Sequence, residues 1–194
     1  MRETARRPSA RLPMSKDTLL PLLAAHVLAH GLGGASLRPL AKAAGTSDRM
    51  LLYHFGTKEA LIADLLAYLA RIYAGTLDAA LAGERPQTRG QALARILKHA
   101  RGPDMLPFMQ LWWEIVAGAA RGVEGYRPAA HAMMAELLGW LEGQMPQGDP
   151  DPKGGARYLL TLIEGTLMLA AIGHADVARD GIEAGLLAGG RAPS

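Results

Sequence analysis

The sequence predicts an all-α fold, and three observations carry that expectation. Ala, Leu and Gly dominate, and aromatics make up only 5% of the 194 residues. Apolar residues recur three and four apart rather than in alternation, the spacing of a helix face and not of a strand. Ser or Thr repeatedly precedes such a run and Gly follows it, which is how helices begin and end. With 49% hydrophobic residues the chain can bury a sizeable core, which excludes disorder as a whole.

Each element has its own reason. Residues 1–14 read as a flexible basic arm bearing Arg2, Arg6, Arg7 and Arg11. A first helix is expected from Ser15, as N-cap with Asp17 in the first turn, to His30, where Gly31, Gly33 and Gly34 stop it. Leu19, Leu20, Leu23, His26, Val27 and His30 share one face of it. A short second helix follows Ser36 and ends at Gly45, with Pro39 in the first turn, where a missing N–H costs little. The third runs from Ser47 to about His54. Thr57 then caps a long fourth helix that reaches Gly83, ahead of the linker ERPQTRG. Five more helices are expected near 88–100, 104–121, 126–144, 153–173 and 176–188, separated by RGPD, RGVEGYRP and MPQGDPDPKGG.

Charge is unevenly distributed. In residues 1–60 nine Lys and Arg (2, 6, 7, 11, 16, 38, 42, 49, 58) stand against four acids (3, 17, 48, 59), whereas acids outnumber bases in the remainder. A basic end is suited to a polyanion, because phosphate neutralisation releases counterions, although a solvated tail has the same composition. The chain has no cysteine, so disulfides and thiolate metal sites are excluded, in keeping with a reducing compartment. The N-terminus lacks the apolar core of a secretory signal. The longest apolar stretch, Tyr158 to Ile172, is too short for a bilayer and contains Glu164, so no membrane partner and a cytoplasmic location are expected.

The segment SLRPLAKAAGTSDRMLLYHFGTKEAL carries the function. Two short helices joined by Ala44, Gly45 and Thr46 form a helix-turn-helix, in which Gly45 supplies positive φ and Leu40, Ala41, Ala44 and Leu51 close a small core. The second helix of such a pair can enter the major groove with its N-terminal residues at base edges. At Ser36, Arg38, Leu40, Ala41, Ala43, Ala44, Gly45, Ser47, Leu51, the run Tyr53 to Gly56 and the run Thr57 to Leu61, the chain resembles the TetR family of transcriptional regulators. The likeness covers about residues 15–66. It departs at Thr46, Met50 and Leu52, where the family commonly has Val, Thr and Tyr.

That resemblance implies an N-terminal three-helix DNA-binding domain (15–66) and a larger C-terminal helical ligand-binding and dimerisation domain (67–194). It also implies a homodimeric regulator, a repressor, that binds a palindromic operator and is released by a small, partly apolar effector. Its DNA-binding residues would be Ser36, Arg38, Thr46, Ser47, Asp48, Arg49, Met50, Leu52, Tyr53, His54, Thr57 and Lys58. Arg38 is placed to read guanine or to stand as a solvated surface residue, Asp48 to accept from cytosine or simply to favour the first-turn dipole, Arg49 to donate to guanine or phosphate, and Met50 and Leu52 to meet a thymine methyl or pack inward. Tyr53, His54 and Lys58 would anchor phosphate, and Phe55 would plug the core. The basic arm would follow the minor groove or merely solubilise the chain.

In the C-terminal part, Leu111, Trp112, Trp113 and Glu114 and the later Leu-x-Glu-Gly-x-Leu helix resemble stretches of some relatives, whose last long helices pair across a two-fold. On that analogy 126–144 and 153–173 build the dimer, with Tyr158, Leu159, Leu162, Ile163, Thr166, Leu167, Ala170 and Ala171 as a wide apolar face and Gly165 permitting close approach. An intrachain bundle would use the same face. Effector candidates are Tyr68, Ile72, Met105, Phe108, Met109, Trp112, Trp113, Ile115, His131 and Met134, adaptable Met beside rigid aromatics, with His131 or Glu114 to orient a ligand. Trp112 and Trp113 are about 100° apart on a helix, so at least one should pack structurally.

Other functions find little support. His26 and His30 are one helical turn apart but have no further ligand cluster, so no metal and no cofactor are expected. Ser15, Ser36 and Ser47 are accounted for as caps rather than nucleophiles. GLGGAS lacks the strand and Lys of a phosphate loop, so an enzyme is not expected. A DNA-binding regulator or architectural protein without an effector is the alternative, and it requires no cavity.

Overall fold

The computed structural model describes residues 14–33, 36–83 and 85–189. The expected arm, including Arg2, Arg6, Arg7 and Arg11, lies outside the described residues. The described residues form helices α1 (Lys16–His30), α2 (Leu37–Ala43), α3 (Asp48–Phe55), α4 (Lys58–Ala80), α5 (Arg89–Ala100), α6 (Leu106–Ala120), α7 (Tyr126–Gly143), α8 (Pro152–Ala171) and α9 (Ala175–Gly189), with a 3-10 turn at Pro103–Met105 before α6. The described residues are all-α, as the composition and spacing predict.

Ser15, Ser47 and Thr57 cap their helices as the sequence signals, whereas Ser36 stands at the N-cap of α2 without a side-chain capping bond. Ser15 and Thr18 form a reciprocal capping box at α1, the Thr18 hydroxyl accepting the Ser15 N–H at 2.9 Å. Thr57 caps α4 by accepting the Ala60 N–H at 3.0 Å, Thr88 caps α5, and Asp151 caps α8. Gly45 carries φ 64° in the turn between α2 and α3, a conformation that disfavours side chains. The fourth helix stops at Ala80, short of the expected Gly83, because Leu81 turns into the core and Gly83, at φ 132°, redirects the chain.

Two apolar clusters organise the bundle. The first joins Leu19, Leu23 and Val27 of α1, Leu40 of α2, Leu51 and Phe55 of α3 and Leu61, Leu65 and Leu69 of α4. It also takes in Leu111 and Ile115 of α6 and Ala129 of α7, so residues on both sides of position 66 share one core. The second joins α5, α7 and α8 through Leu93, Ile96, Leu97, Leu141, Leu159, Ile163 and Leu167. α4 runs unbroken beside both and packs most extensively on α7. Each of its fully buried leucines contributes roughly 1.5–3 kcal/mol by leaving water. By length and composition α4 is apolar enough to cross a membrane, but Leu61, Leu65, Leu66, Leu69 and Leu77 of it are buried in the bundle.

Polar ties fix the helix ends. Lys16 on α1 pairs with Asp64 on α4 at 2.6 Å and lies 5.2 Å from the Phe55 ring centroid. Arg89 at the start of α5 grips Asp149 through two hydrogen bonds of 2.6 and 2.7 Å and also donates to the Asp151 carbonyl. That Arg fork locks the α7–α8 loop to α5. The Trp140 indole N–H donates to Asp78 at 2.6 Å, joining α7 to α4.

Candidate nucleic-acid interface and effector cavity

The helix-turn-helix is assembled from the inside out. Leu40, Ala41, Ala44, Leu51 and Phe55 are buried, so the opposite faces of α2 and α3 are set by exclusion. Phe55 is the core plug the sequence suggests, at 4% exposure. On the outward side, Ser36, Arg38, Ser47, Asp48, Arg49, Leu52, Tyr53, Thr57 and Lys58 are exposed, and Tyr53 reaches 78% exposure. An aromatic ring left that open on a short helix adds little to the core. Ser47 accepts the Met50 N–H at 3.3 Å, so the first turn of α3 is capped and its other N–H groups face outward.

Three of the expected contact residues are placed differently from the rest. Thr46 and Met50 are half-buried, which leaves Leu52 as the more open of the two apolar candidates. His54 is half-buried too; its ring lies edge-on to Tyr53 with centroids 5.2 Å apart, and its Nε2 is enclosed with no hydrogen-bond partner among the described residues. It faces the protein more than the surface. His26 and His30 stack at 4.4 Å beside Arg38 and Lys42, where α1 meets α2.

The second feature is a cavity between α4, α6, α7 and α8, of about 40 Å³. Its wall is formed by Leu69, Ala70, Tyr73 and Ala74, by Phe108, Met109, Leu111 and Trp112, by Met133, Met134 and Leu137, and by Glu164. The Trp112 indole N–H donates to Glu164 Oε2 at 2.8 Å. Burial pushes the Glu164 carboxyl above its ordinary range, against the opposite pull of that hydrogen bond. Burial, followed by the charge of Glu164, pushes the Tyr73 phenol up to about 12. Tyr73 also donates to the Met109 sulfur at 3.9 Å and tilts against Phe108 with ring centroids 5.7 Å apart.

Of the effector candidates, Phe108, Met109, Trp112 and Met134 meet in this wall. The others do not. Tyr68 is half-buried against the first core with the Arg71 guanidinium 5.9 Å from its ring, and Met105 is buried in the 3-10 turn. Trp113 lines a separate cleft with Leu106, Leu167 and Ala170. His131 and Ile72 are exposed, and Ile115 is fully buried in the first core. Glu114, suggested as an orienting group, instead accepts the Leu32 N–H at 2.7 Å. Sequence reading missed Tyr73 and Glu164. Their signal was present, since Tyr73 and Leu69 are four apart on α4 and Glu164 interrupts the apolar run of α8.

The expected dimer face is also redistributed. Leu159, Ile163, Thr166 and Leu167 are buried within the chain, against α5 and α7, and cannot serve as a surface. Leu162 and Ala170 are half-buried. Tyr158 and Ala171 of the expected face are exposed, and the open side of α8 also carries Thr161 and Met168, with Ile172 just past its end and Val177 and Gly181 alongside on α9. Met168 is 55% and Ile172 65% exposed, and nothing lies within 4 Å of where a Cβ on Gly165 or Gly181 would sit. α8 is apolar nearly all round, so periodicity alone could not separate its two faces.

Residues 23–65 match the family model described as bacterial regulatory proteins, tetR family. A TetR-family transcriptional regulator from a Rhodococcus species has a similar structure, with a TM-score of 0.66 at 20% identity over 88% of this chain and 95% of that one. The multidrug binding protein EbrR complexed with imidazole is similar at TM-score 0.63 and 22% identity, covering 92% of this chain and 95% of that one. EbrR complexed with proflavin gives a TM-score of 0.55 at 19% identity, over 87% and 97%. At these identities the likeness is one of fold. No curated protein matches the chain.

Proposed function

We propose that the chain, whose residues 23–65 match the model of the tetR family of bacterial regulatory proteins, is a homodimeric, effector-responsive repressor of that family acting on DNA in the cytoplasm. One observation carries the reading: α3 is anchored from within by Leu51 and Phe55 while Asp48, Arg49, Leu52 and Tyr53 stand open beside Arg38 and Lys58. Such a helix presents base-reading groups at its start and phosphate anchors at its end.

A single α3 reads few base pairs. Two copies set about 34–36 Å apart by a two-fold reach successive turns of one DNA face, so the operator is palindromic. The contiguous apolar stripe of Tyr158, Met168, Ile172 and Val177 is the surface through which that pairing is made, with Gly165 and Gly181 allowing the helices to approach. The effector occupies the α4, α6, α7 and α8 cavity. A cavity of 40 Å³ is well below the usual ligand volume, so an occupant must displace the methionines of its wall and move α4 or α6. That movement favours a state whose two α3 helices are wrongly spaced for DNA, which is a population shift. EbrR, a protein of this fold, is a multidrug binding protein, which supports a small-molecule occupant here.

Selection of bound duplexes from a random pool tests the reading. The expected product is an inverted repeat, with one base preference lost in Arg38→Ala and uniform weakening in Lys58→Ala. Failure to retain any duplex in a salt-sensitive manner would overturn it.

A further inference from the structure

The cavity has one feature that an apolar effector does not require. Trp112 needs an acceptor for its indole N–H, and a neutral Gln or a backbone carbonyl would supply one. The acceptor present is a carboxylate, Glu164, set in a wall otherwise made of Leu, Ala, Met and aromatic side chains. Among the described residues no Lys, Arg or His pairs with it. A carboxylate withdrawn from water with a single neutral donor is destabilising unless a positive charge joins it. Tyr73, Phe108 and Trp112 surround the same space, and aromatic faces attract cations while excluding anions.

We propose that the α4, α6, α7 and α8 cavity takes a ring-bearing organic cation, its nitrogen donating to Glu164 and its ring lying among Tyr73, Phe108 and Trp112. This rests on the effector role given to the cavity above and names its ligand class. Two observations join in it: the carboxylate supplies the charge, and the three rings supply a surface that a hydrated inorganic ion would not use. The direction of the Glu164 shift agrees, because a bound cation relieves the penalty that burial imposes. Anions of the same shape are repelled by Glu164, and neutral isosteres leave it uncompensated.

Three indole compounds that differ chiefly in charge make the test: tryptamine, tryptophol and indole-3-acetate, with proflavin as a larger planar cation. Binding is read on the full-length protein without DNA, by calorimetry and by the rise in melting temperature. Tryptamine should bind about ten- to a hundred-fold more tightly than tryptophol, the range that a hydrogen bond to a charged group supplies, and indole-3-acetate should bind least. In Glu164→Gln the tryptamine advantage should vanish while tryptophol binding is retained. Because the ordering is measured on the unaltered protein, a variant that fails to fold does not spare the proposal. Equal affinity for the three indoles, no binding of tryptamine or proflavin, or a tryptamine preference that survives Glu164→Gln would each overturn it; the last would make Glu164 only an acceptor for Trp112. Operator binding is measured separately on the same preparation. A cation preference without operator binding would sink the repressor reading and leave this one standing, and operator release by a neutral compound alone would do the reverse.

Discussion

Glu114 Oε2 accepts the backbone N–H of Leu32 at 2.7 Å, and so joins the middle of α6 to the end of α1. Glu114 lies two residues beyond Trp112, which is part of the cavity wall, while Leu32 belongs to the core on which α2 and α3 rest. Gly31 makes room for the contact: a Cβ there would lie 2.8 Å from the same oxygen, and its φ of 74° disfavours any side chain. This hydrogen bond ties α6 to the base of the helix-turn-helix.

Glu114→Ala should cost about 1–3 kcal/mol in urea denaturation, because the Leu32 N–H loses its acceptor in a nearly enclosed site. It should also flatten the effector response, bringing operator affinities with and without ligand toward equality. Glu114→Gln, which keeps an acceptor oxygen, should restore most of both. Fluorescence anisotropy on a labelled operator checks the coupling.

Gly118→Ala should destabilise the bundle by about 1–3 kcal/mol, the usual cost of overpacking. The Tyr126 ring sits directly on Gly118, and an added Cβ would collide with it. The double variant with Tyr126→Leu should recover part of the loss, which thermal melting would reveal as non-additivity.

Acid should reveal the Arg89 fork. Its hydrogen bonds hold the Asp149 carboxyl down to about 2, against the opposing effect of desolvation. A depressed carboxylate contributes stability that is present above its unfolded value and lost as pH falls through the folded one. The stability difference between the natural protein and Asp149→Asn should therefore be full at about pH 6 and fade from about pH 4 toward 2, as urea midpoints across that range would show.

Met168→Glu should weaken self-association without unfolding the chain, since Met168 is 55% exposed and lies outside both apolar clusters. Sedimentation should show a shift toward monomer of at least about ten-fold in dissociation constant, the scale of desolvating an unpaired charge at an interface. Ile163→Glu offers no such test, because Ile163 is buried inside the chain and its substitution would act on folding first.

Much of this was legible in residue order because the signals are local. Ser15, Ser47 and Thr57 cap their helices by bonds to residues three away, and Gly45 marks the turn by a conformation that few residues share. What depends on partners distant in sequence was not. Glu164 meets Trp112 across 52 positions, and Glu114 meets Leu32 across 82. No helical period encodes which Trp faces a carboxylate on another helix. For the same reason Trp112 and Trp113, adjacent in the chain, divide between the cavity and a separate cleft.

The core under the helix-turn-helix is completed by Leu111, Ile115 and Ala129, from the far part of the chain. The helix-turn-helix therefore has no severable seam. A fragment ending near residue 66 would expose the floor on which Leu23 and Leu65 rest, and grafting these helices onto another protein would require α6 and the start of α7 to travel with them.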